Sequence, residues 1–478
     1  MIQIVPAPKK TTFFQRDYAY NGETVRTSID ILLGEEEYIL EVTSEDGITI
    51  IGGSEKAVFY GECTLEQILL QNKKRIRAMK IEDEPVFRYR GFMIDCARHF
   101  FTVDELKAII DTMARLKFNY FHWHLTDDQG FRMQIDALDK LHKEGSVRLG
   151  SHFGGTHSNS KYEGYYTTQQ MQEIVQFCAE RYIEVVPEID VPGHATAMIH
   201  AYPEMSCRGR KVPVETRQGI FKNILCAGSE TTYEYLCKIL DEMCRIFPGE
   251  YFHLGGDEVP KENWEHCSAC KNAMKENGLE SYEQLQAWLM NRLAAYLQQK
   301  GKKVICWNDA LKGENLSKNF IAERWMDRKN LTLYWANSGR KVIMGDFYHT
   351  YFDYPYAMTP LKKVYRYSPY LKNMDIRGKE SIEGLECCVW TEHISSNAAI
   401  EYMLFPRAAA VAQTAWGCGR ENYAYFESAL KAFKPIFKRN RINCAPQKDW
   451  NPLPHKRLGG VVKLLVTTLK GLSYQPKA

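Results

Sequence analysis

Apolar residues recur along this chain with two alternating periods. Short runs of strand character at 91–95, 120–125, 183–189, 251–254, 304–307, 332–335, 342–344 and 385–390 are separated by stretches that repeat every three to four residues. After the first run, Leu106, Ile109, Ile110, Met113 and Leu116 share one helical face. Thr102-x-x-Glu105 opens that helix as a capping box, each side chain taking an orphan amide of the other. Thr167-x-x-Gln170, Thr231-x-x-Glu234 and Ser281-x-x-Gln284 repeat the device, with Gly301 as the last helix's stop. Eight strand–helix repeats predict a closed parallel (β/α)8 TIM barrel rather than an open doubly wound sheet. No G-x-G-x-x-G follows a strand, which argues against a dinucleotide fold.

A different pattern precedes the barrel. Residues 38–42 and 48–51 read as strands joined through Asp46-Gly47, a hairpin signal. Residues 54–71 then place Ala57, Tyr60, Leu65, Ile68 and Leu69 at helical spacing. This predicts a small α/β domain over 1–85, closed by the polar junction Glu82-Asp-Glu-Pro85, and a barrel over 86–430. The remaining 431–478 holds 11 Lys and Arg against the single acid Asp449, a basic extension with an apolar patch at 461–469 expected to pack on the body.

Composition narrows the function classes. A hydrophobic content of 45% with 25% charged residues is that of a soluble globular protein, and a net charge of +3 gives no case for nucleic acid. No apolar run approaches the ~20 residues of a membrane span. The first residues lack a basic region followed by an apolar run, so a cytoplasmic location with reduced thiols is expected for the 14 scattered cysteines. Cys267-Ser-Ala-Cys270 is a lone C-x-x-C without a second pair at zinc-ribbon spacing, so no metal site is expected there. Nine Trp and 28 Tyr supply flat amphipathic rings, most of them for the core and some suited to a sugar ring.

Chemistry concentrates just after the strands. In F-H-L-G-G-D-E-V-P (252–260), two glycines break an apolar strand before Asp257 and Glu258 and permit a sharp path that turns both carboxylates toward one cavity. The alternative is a solvated acidic turn. Arg98, His122, His124, Asp127, Asp128, Glu188, Asp190, His194, Trp307, Asn308, Asp309, Trp335, Trp390 and Glu392 end or follow other strands, the end at which such barrels carry active sites. Loops at 137–166, 201–228 and 354–380 leave the same face and are expected to wall a substrate cleft. His122 and His124, two apart on a strand, also fit a metal-dependent barrel hydrolase, whereas His194 and Asp127 fit a hydrogen-bonded chain toward Glu258.

R-G-F-M-I-D-C-A-R-H-F-F (90–101), K-F-N-Y-F-H-W-H-L-T-D-D-Q (117–129), P-E-I-D-V-P-G-H (187–194), H-L-G-G-D-E-V (253–259) and V-W-T-E (389–392) together resemble glycoside hydrolase family 20, the β-N-acetylhexosaminidases. The resemblance spans roughly residues 38 to 417. It implies retaining, substrate-assisted hydrolysis of terminal GlcNAc or GalNAc without metal or cofactor, the 2-acetamido oxygen attacking C1 to give an oxazolinium ion. Glu258 would be the acid and base, Asp257 would orient the acetamido group, and Tyr351 in Y-F-D (351–353) would donate to its oxygen. Trp307, Trp335 and Trp390 would box the N-acetyl group. Arg98, Asp353 and Glu392 would hold ring hydroxyls, backed by Asp127 and His194. A catalytically inactive sugar-binding barrel is the competing reading. The partner implied is a glycan or glycoconjugate. Gln413 in A-Q-T-A-W-G departs from the family's Glu, a change expected to be structural.

Overall fold

The computed structural model describes residues 2–72, 74–154, 156–417 and 422–473. The N-terminal sheet comprises β1 (Lys10–Ala19), β2 (Arg26–Ile29), β3 (Tyr38–Thr43), β4 (Gly47–Gly52) and β5 (Arg75–Asp83), in the order β1-β5-β3-β4-β2. Strand burial in β3 and β4 alternates residue by residue, so one face buries Tyr38, Leu40, Val42, Ile48 and Ile50. The helix Glu55–Gln71 covers that face with Ala57, Tyr60, Leu65 and Ile68, and the Ser54 side chain accepts its first free amide from Ala57.

The barrel begins with β6 (Tyr89–Asp95) and β7 (Tyr120–His124). Two excursions follow before the third barrel strand: the short pair β8 (Thr126–Asp127) and β9 (Gly130–Phe131), and the hairpin β10 (Val147–Phe153) and β11 (Thr156–Glu163). Then come β12 (Glu184–Glu188), β13 (Tyr251–His253), β14 (Lys303–Trp307), β15 (Ile321–Arg324), β16 (Val342–Met344) and β17 (Ile382–Val389). All neighbours pair in parallel, and β17 against β6 closes the circle. The (β/α)8 barrel after a small α/β domain is therefore as expected.

One strand is not where the pattern put it. Residues 332–335 lie in the helix Leu331–Asn337, whose free amides at Leu331 and Thr332 donate to the Asp327 carboxylate at 3.1 and 2.7 Å. That acid stabilises a helix start which the β-branched and aromatic run Thr-Leu-Tyr-Trp does not advertise. The sixth strand is instead β15, Ile-Ala-Glu-Arg, whose charged half hid it. Glu323 is wholly buried in the barrel interior. Two caps also differ. Helix Glu230–Ile246 is capped by Ser229 rather than Thr231, and the Gln284 side chain accepts from the Glu280 amide rather than closing a box on Ser281.

The small domain is keyed to the N-terminal ends of the barrel strands. Asp83 accepts from the Trp416 indole at 2.8 Å and pairs with Lys117 at 3.1 Å, both acid and base fully buried. Arg90, at the start of β6, makes two 2.9 Å bonds to Glu36. Gln413 accepts from the Ala7 amide, the structural part its position suggested. At the other end of the chain, helix Tyr423–Arg439 runs through position 430 and buries Phe433, Ile436 and Phe437. The basic segment is thus continuous with the body at its start. Its last helix, Pro454–Ser473, reaches the opposite end of the barrel, where Val461, Leu464 and Thr468 line the mouth while Val462, Val466 and Leu469 stay exposed. Among the described residues, no helix is long and apolar enough to cross a membrane.

Candidate active site

The strands' C-terminal ends open into a cavity of about 550 Å³. Its carboxylate wall is the turn after β13. Gly255 and Gly256 have φ of +64° and +99°, and Glu258 itself sits at +48°. A Cβ on Gly255 would lie 1.9 Å from Asp190 Oδ1, while the Gly256 amide donates to that same oxygen at 2.9 Å. The backbone therefore has to pass this close to Asp190, and only glycine allows it. Strand alternation ends here, and Asp257 and Glu258 both line the cavity, each 3.8 Å from His194 Nε2.

A charge relay runs beneath them. His194 Nδ1 lies 3.0 Å from Asp127 and 3.2 Å from Asp128. Burial disfavours its charged form, but Asp127 outweighs that and holds the imidazole well above its ordinary range, hence protonated. Asp127 in turn pairs with Arg98 at 2.7 Å, and against burial this guanidinium and His194 hold it far below the usual carboxylate range. Asp95 accepts from the amides of Ala97 and Arg98 at 2.8 and 3.1 Å, which turns the chain so that Arg98 reaches the cavity. Arg98 also stacks 5.1 Å over Trp390 and approaches Glu392 at 3.9 Å.

Burial pushes the acids above toward their neutral forms. Burial and then the neighbouring Asp257 push Glu258 up to about 7. Asp190 is raised well above its ordinary range by burial and by Asp257, so it keeps a proton. Asp257 is itself raised by burial. On the far wall Asp353 stays protonated through burial and the nearby Glu392. Tyr351, held against β17 by a bridge to Cys388, is buried and keeps its hydroxyl proton as a donor.

The aromatic floor is corrected in one place. Trp307 lies beneath the cavity, its indole donating to Glu188 at 2.8 Å, with its ring 5.8 Å from Trp390. Trp335 takes no part. It belongs to the helix Leu331–Asn337 and packs under the Arg340 guanidinium at 4.3 Å. The third tryptophan is Trp325, which directly follows β15, lines the cavity and stacks on Tyr351 at 6.4 Å. Its indole donates to Asp309 and its amide to Asn308, at 2.8 and 2.9 Å. Phe347 and Tyr354 complete this side; no motif announced them. The loops at 201–228 and 354–380 contribute Gln218, Ile220, Tyr354 and Met358 to the walls, while the hairpin in 137–166 lies behind Arg98.

His122 and His124 do not form a metal centre facing this cavity. Both are fully buried below it, and every ring nitrogen has a carboxylate partner. His122 meets Glu386 at 2.8 Å and Glu188 at 3.1 Å; His124 meets Glu188 and, at 2.9 Å, Asp127. These acids overcome burial and raise both imidazoles, His124 to about 10.

Comparison with known proteins places these features in a family. Residues 87–418 match glycosyl hydrolase family 20, catalytic domain, and residues 23–84 match glycosyl hydrolase family 20, domain 2. A beta-hexosaminidase of Porphyromonas gingivalis is 34% identical over 419 residues, covering 83% of this chain and 53% of that protein. A beta-hexosaminidase of Vibrio furnissii is 32% identical over 399 residues, covering 80% and 65%. The chain thus spans between about half and two thirds of the length of these two relatives. The crystal structure of the GH20 exo beta-N-acetylglucosaminidase from Vibrio harveyi in complex with N-acetylglucosamine superposes with a TM-score of 0.83 at 28% identity, covering 93% of this chain and 78% of that one.

Proposed function

This chain belongs to glycoside hydrolase family 20, and from that premise we propose that it is a β-N-acetylhexosaminidase, removing terminal GlcNAc or GalNAc from glycans with retention of configuration. The observation that carries the proposal is the single wall shared by Asp257 and Glu258, each 3.8 Å from the same imidazole nitrogen. A retaining enzyme with a protein nucleophile needs carboxylates facing each other across the scissile bond, ~5 Å apart. Adjacent acids on one wall suit a substrate that brings its own nucleophile.

In this reading the acetamido oxygen attacks C1 while Glu258, neutral up to about pH 7, protonates the departing oxygen. Its carboxylate then takes a proton from the incoming water. Burial raises Asp257, and positive charge growing on the acetamido nitrogen favours its ionised form. That attraction exists only as the oxazolinium develops, so it stabilises the transition state more than the bound substrate. Tyr351 donates to the acetamido oxygen over the Trp307, Trp325 and Trp390 floor, and Arg98, Asp353 and Glu392 face the ring hydroxyls.

The test acts on the substrate. Successive fluorination of the N-acetyl methyl group withdraws electrons from the nucleophilic oxygen, so kcat/KM should fall stepwise, and a 2-hydroxy glycoside should be nearly inert. A kcat/KM that ignores fluorination, with bond cleavage rate-limiting, would exclude the mechanism. Failure to hydrolyse any aryl N-acetylhexosaminide would favour the sugar-binding barrel.

A further inference from the structure

The C-x-x-C that the sequence leaves alone acquires its second pair in space. The loop at 201–228 carries Cys207 near its start and Cys226 near its end, and the fold brings both onto Cys267 and Cys270. Cys226 Sγ lies 3.7 Å from both Cys267 Sγ and Cys270 Sγ, and Cys207 Sγ lies 3.8 Å from Cys270 Sγ. These separations are too long for a disulfide, whose sulfurs sit ~2.05 Å apart. They equal the edge, ~3.8 Å, of a tetrahedron whose corners stand at the ~2.3 Å zinc–thiolate distance.

From this geometry we propose that Cys207, Cys226, Cys267 and Cys270 bind one zinc ion as a closed, structural four-cysteine site. A helix start adjoins the four sulfurs. Cys267 is the N-cap of helix Ser268–Glu276 and makes no side-chain bond to it, so both cysteines of the C-x-x-C face the positive end of that helix. Gly228 packs so tightly here that a Cβ would meet the Ala269 carbonyl at 2.3 Å. With four thiolates filling the tetrahedron, no position is left for water or substrate, so the ion's part is structural.

Its position gives the ion something to hold. Cys267 follows Glu258 by nine residues, and the segment between Cys207 and Cys226 carries Gln218 and Ile220, which line the active-site wall. Protein contacts already join these segments: the Trp264 indole donates to the Leu225 carbonyl at 2.8 Å, and the Cys226 amide to Met205 at 2.7 Å. Zinc would pin both ends of a long loop to the chain leaving the catalytic turn, the connection at which a clip saves the most loop entropy. This inference is independent of the reaction proposed above.

Elemental analysis of the full chain, purified under reducing conditions with zinc supplied and without chelator, should find about one zinc per chain. X-ray absorption should show four sulfurs at ~2.3 Å. Titration of the thiols with a mercurial should release the ion only as four thiols react. Cys207→Ser and Cys226→Ser should each reduce retained zinc at least ~10-fold and lower Tm, with KM rising more than kcat falls, whereas Cys244→Ser should keep the full complement. A zinc-free protein with four free thiols, nitrogen or oxygen in the zinc shell, or Cys226 linked to Cys267 or Cys270 as a disulfide would each overturn the proposal. If the serine variants fail to fold, the metal content and absorption spectrum of the unaltered chain decide it alone.

Discussion

Glu258 is where one side chain's environment sets the reaction's pH range. Burial and Asp257 place its carboxyl at about 7, so the acid form is present below that pH and lost above it. The alkaline limb of kcat/KM should therefore fall near pH 7, and Asp257→Asn, which removes a like charge, should move it to lower pH in a pH–rate series. Glu258→Gln should cost ~10²–10⁴ in turnover of substrates with poor leaving groups and less with activated aryl groups. The same substitution bears on stability with a defined sign. The folded-state value lies above the ordinary 4.5, so ionisation costs stability, by nothing below about 4.5 and fully above about 7. With the side chain still 32% exposed, screening reduces that cost to ~1 kcal/mol. The Gln variant should melt higher than the parent at pH 8 and level with it near pH 4.5 in paired calorimetry.

At the scale of elements, the turn after β13 has the least tolerance. Gly255→Ala places a methyl 1.9 Å from Asp190 Oδ1 in a conformation unfavourable to any Cβ. The backbone has to retreat, carrying Asp257 and Glu258 with it. Activity should drop at least ~10²-fold while circular dichroism shows a folded barrel, because misplacement by ~1 Å suffices for such a loss. Retained activity would mean that the acids are held by something other than this turn. The helix Leu331–Asn337 teaches the complementary point, since one acid, Asp327, decides that 332–335 is helical and so which tryptophan reaches the cavity.

Across the whole molecule, the small domain and barrel share a buried polar seam rather than a flexible linker. Asp83, Lys117 and Trp416 meet with their side chains fully buried, and Arg90 holds Glu36. Removing one member strands a buried charge, which costs ~3–5 kcal/mol. Asp83→Ala should accordingly lower Tm by several degrees and, in a calorimetric scan, separate the transition into two, whereas the parent unfolds in one. A single unshifted transition in the variant would mean that the domains do not depend on this seam.

Much of this was readable in the chain, because barrel strands, helix caps and the Gly-Gly-Asp-Glu turn are local patterns whose cause lies within a few residues. Seven of eight barrel strands and the placement of Arg98, His194, Asp257, Glu258, Trp390 and Glu392 around one cavity followed from them, while Tyr351 and Asp353 were implied by the family resemblance. Trp325 in place of Trp335 did not, because β15 hides its strand character behind a Glu-Arg pair that only a polar barrel interior accepts. Nor did the protonation of Asp190, which depends on its burial and then on Asp257 beside it from a neighbouring strand's loop. The pairing of Cys207 and Cys226 with Cys267-x-x-Cys270 belongs to the same class. Spacing along the chain determines local conformation, but which side chains share a buried volume is decided only when distant segments close around it.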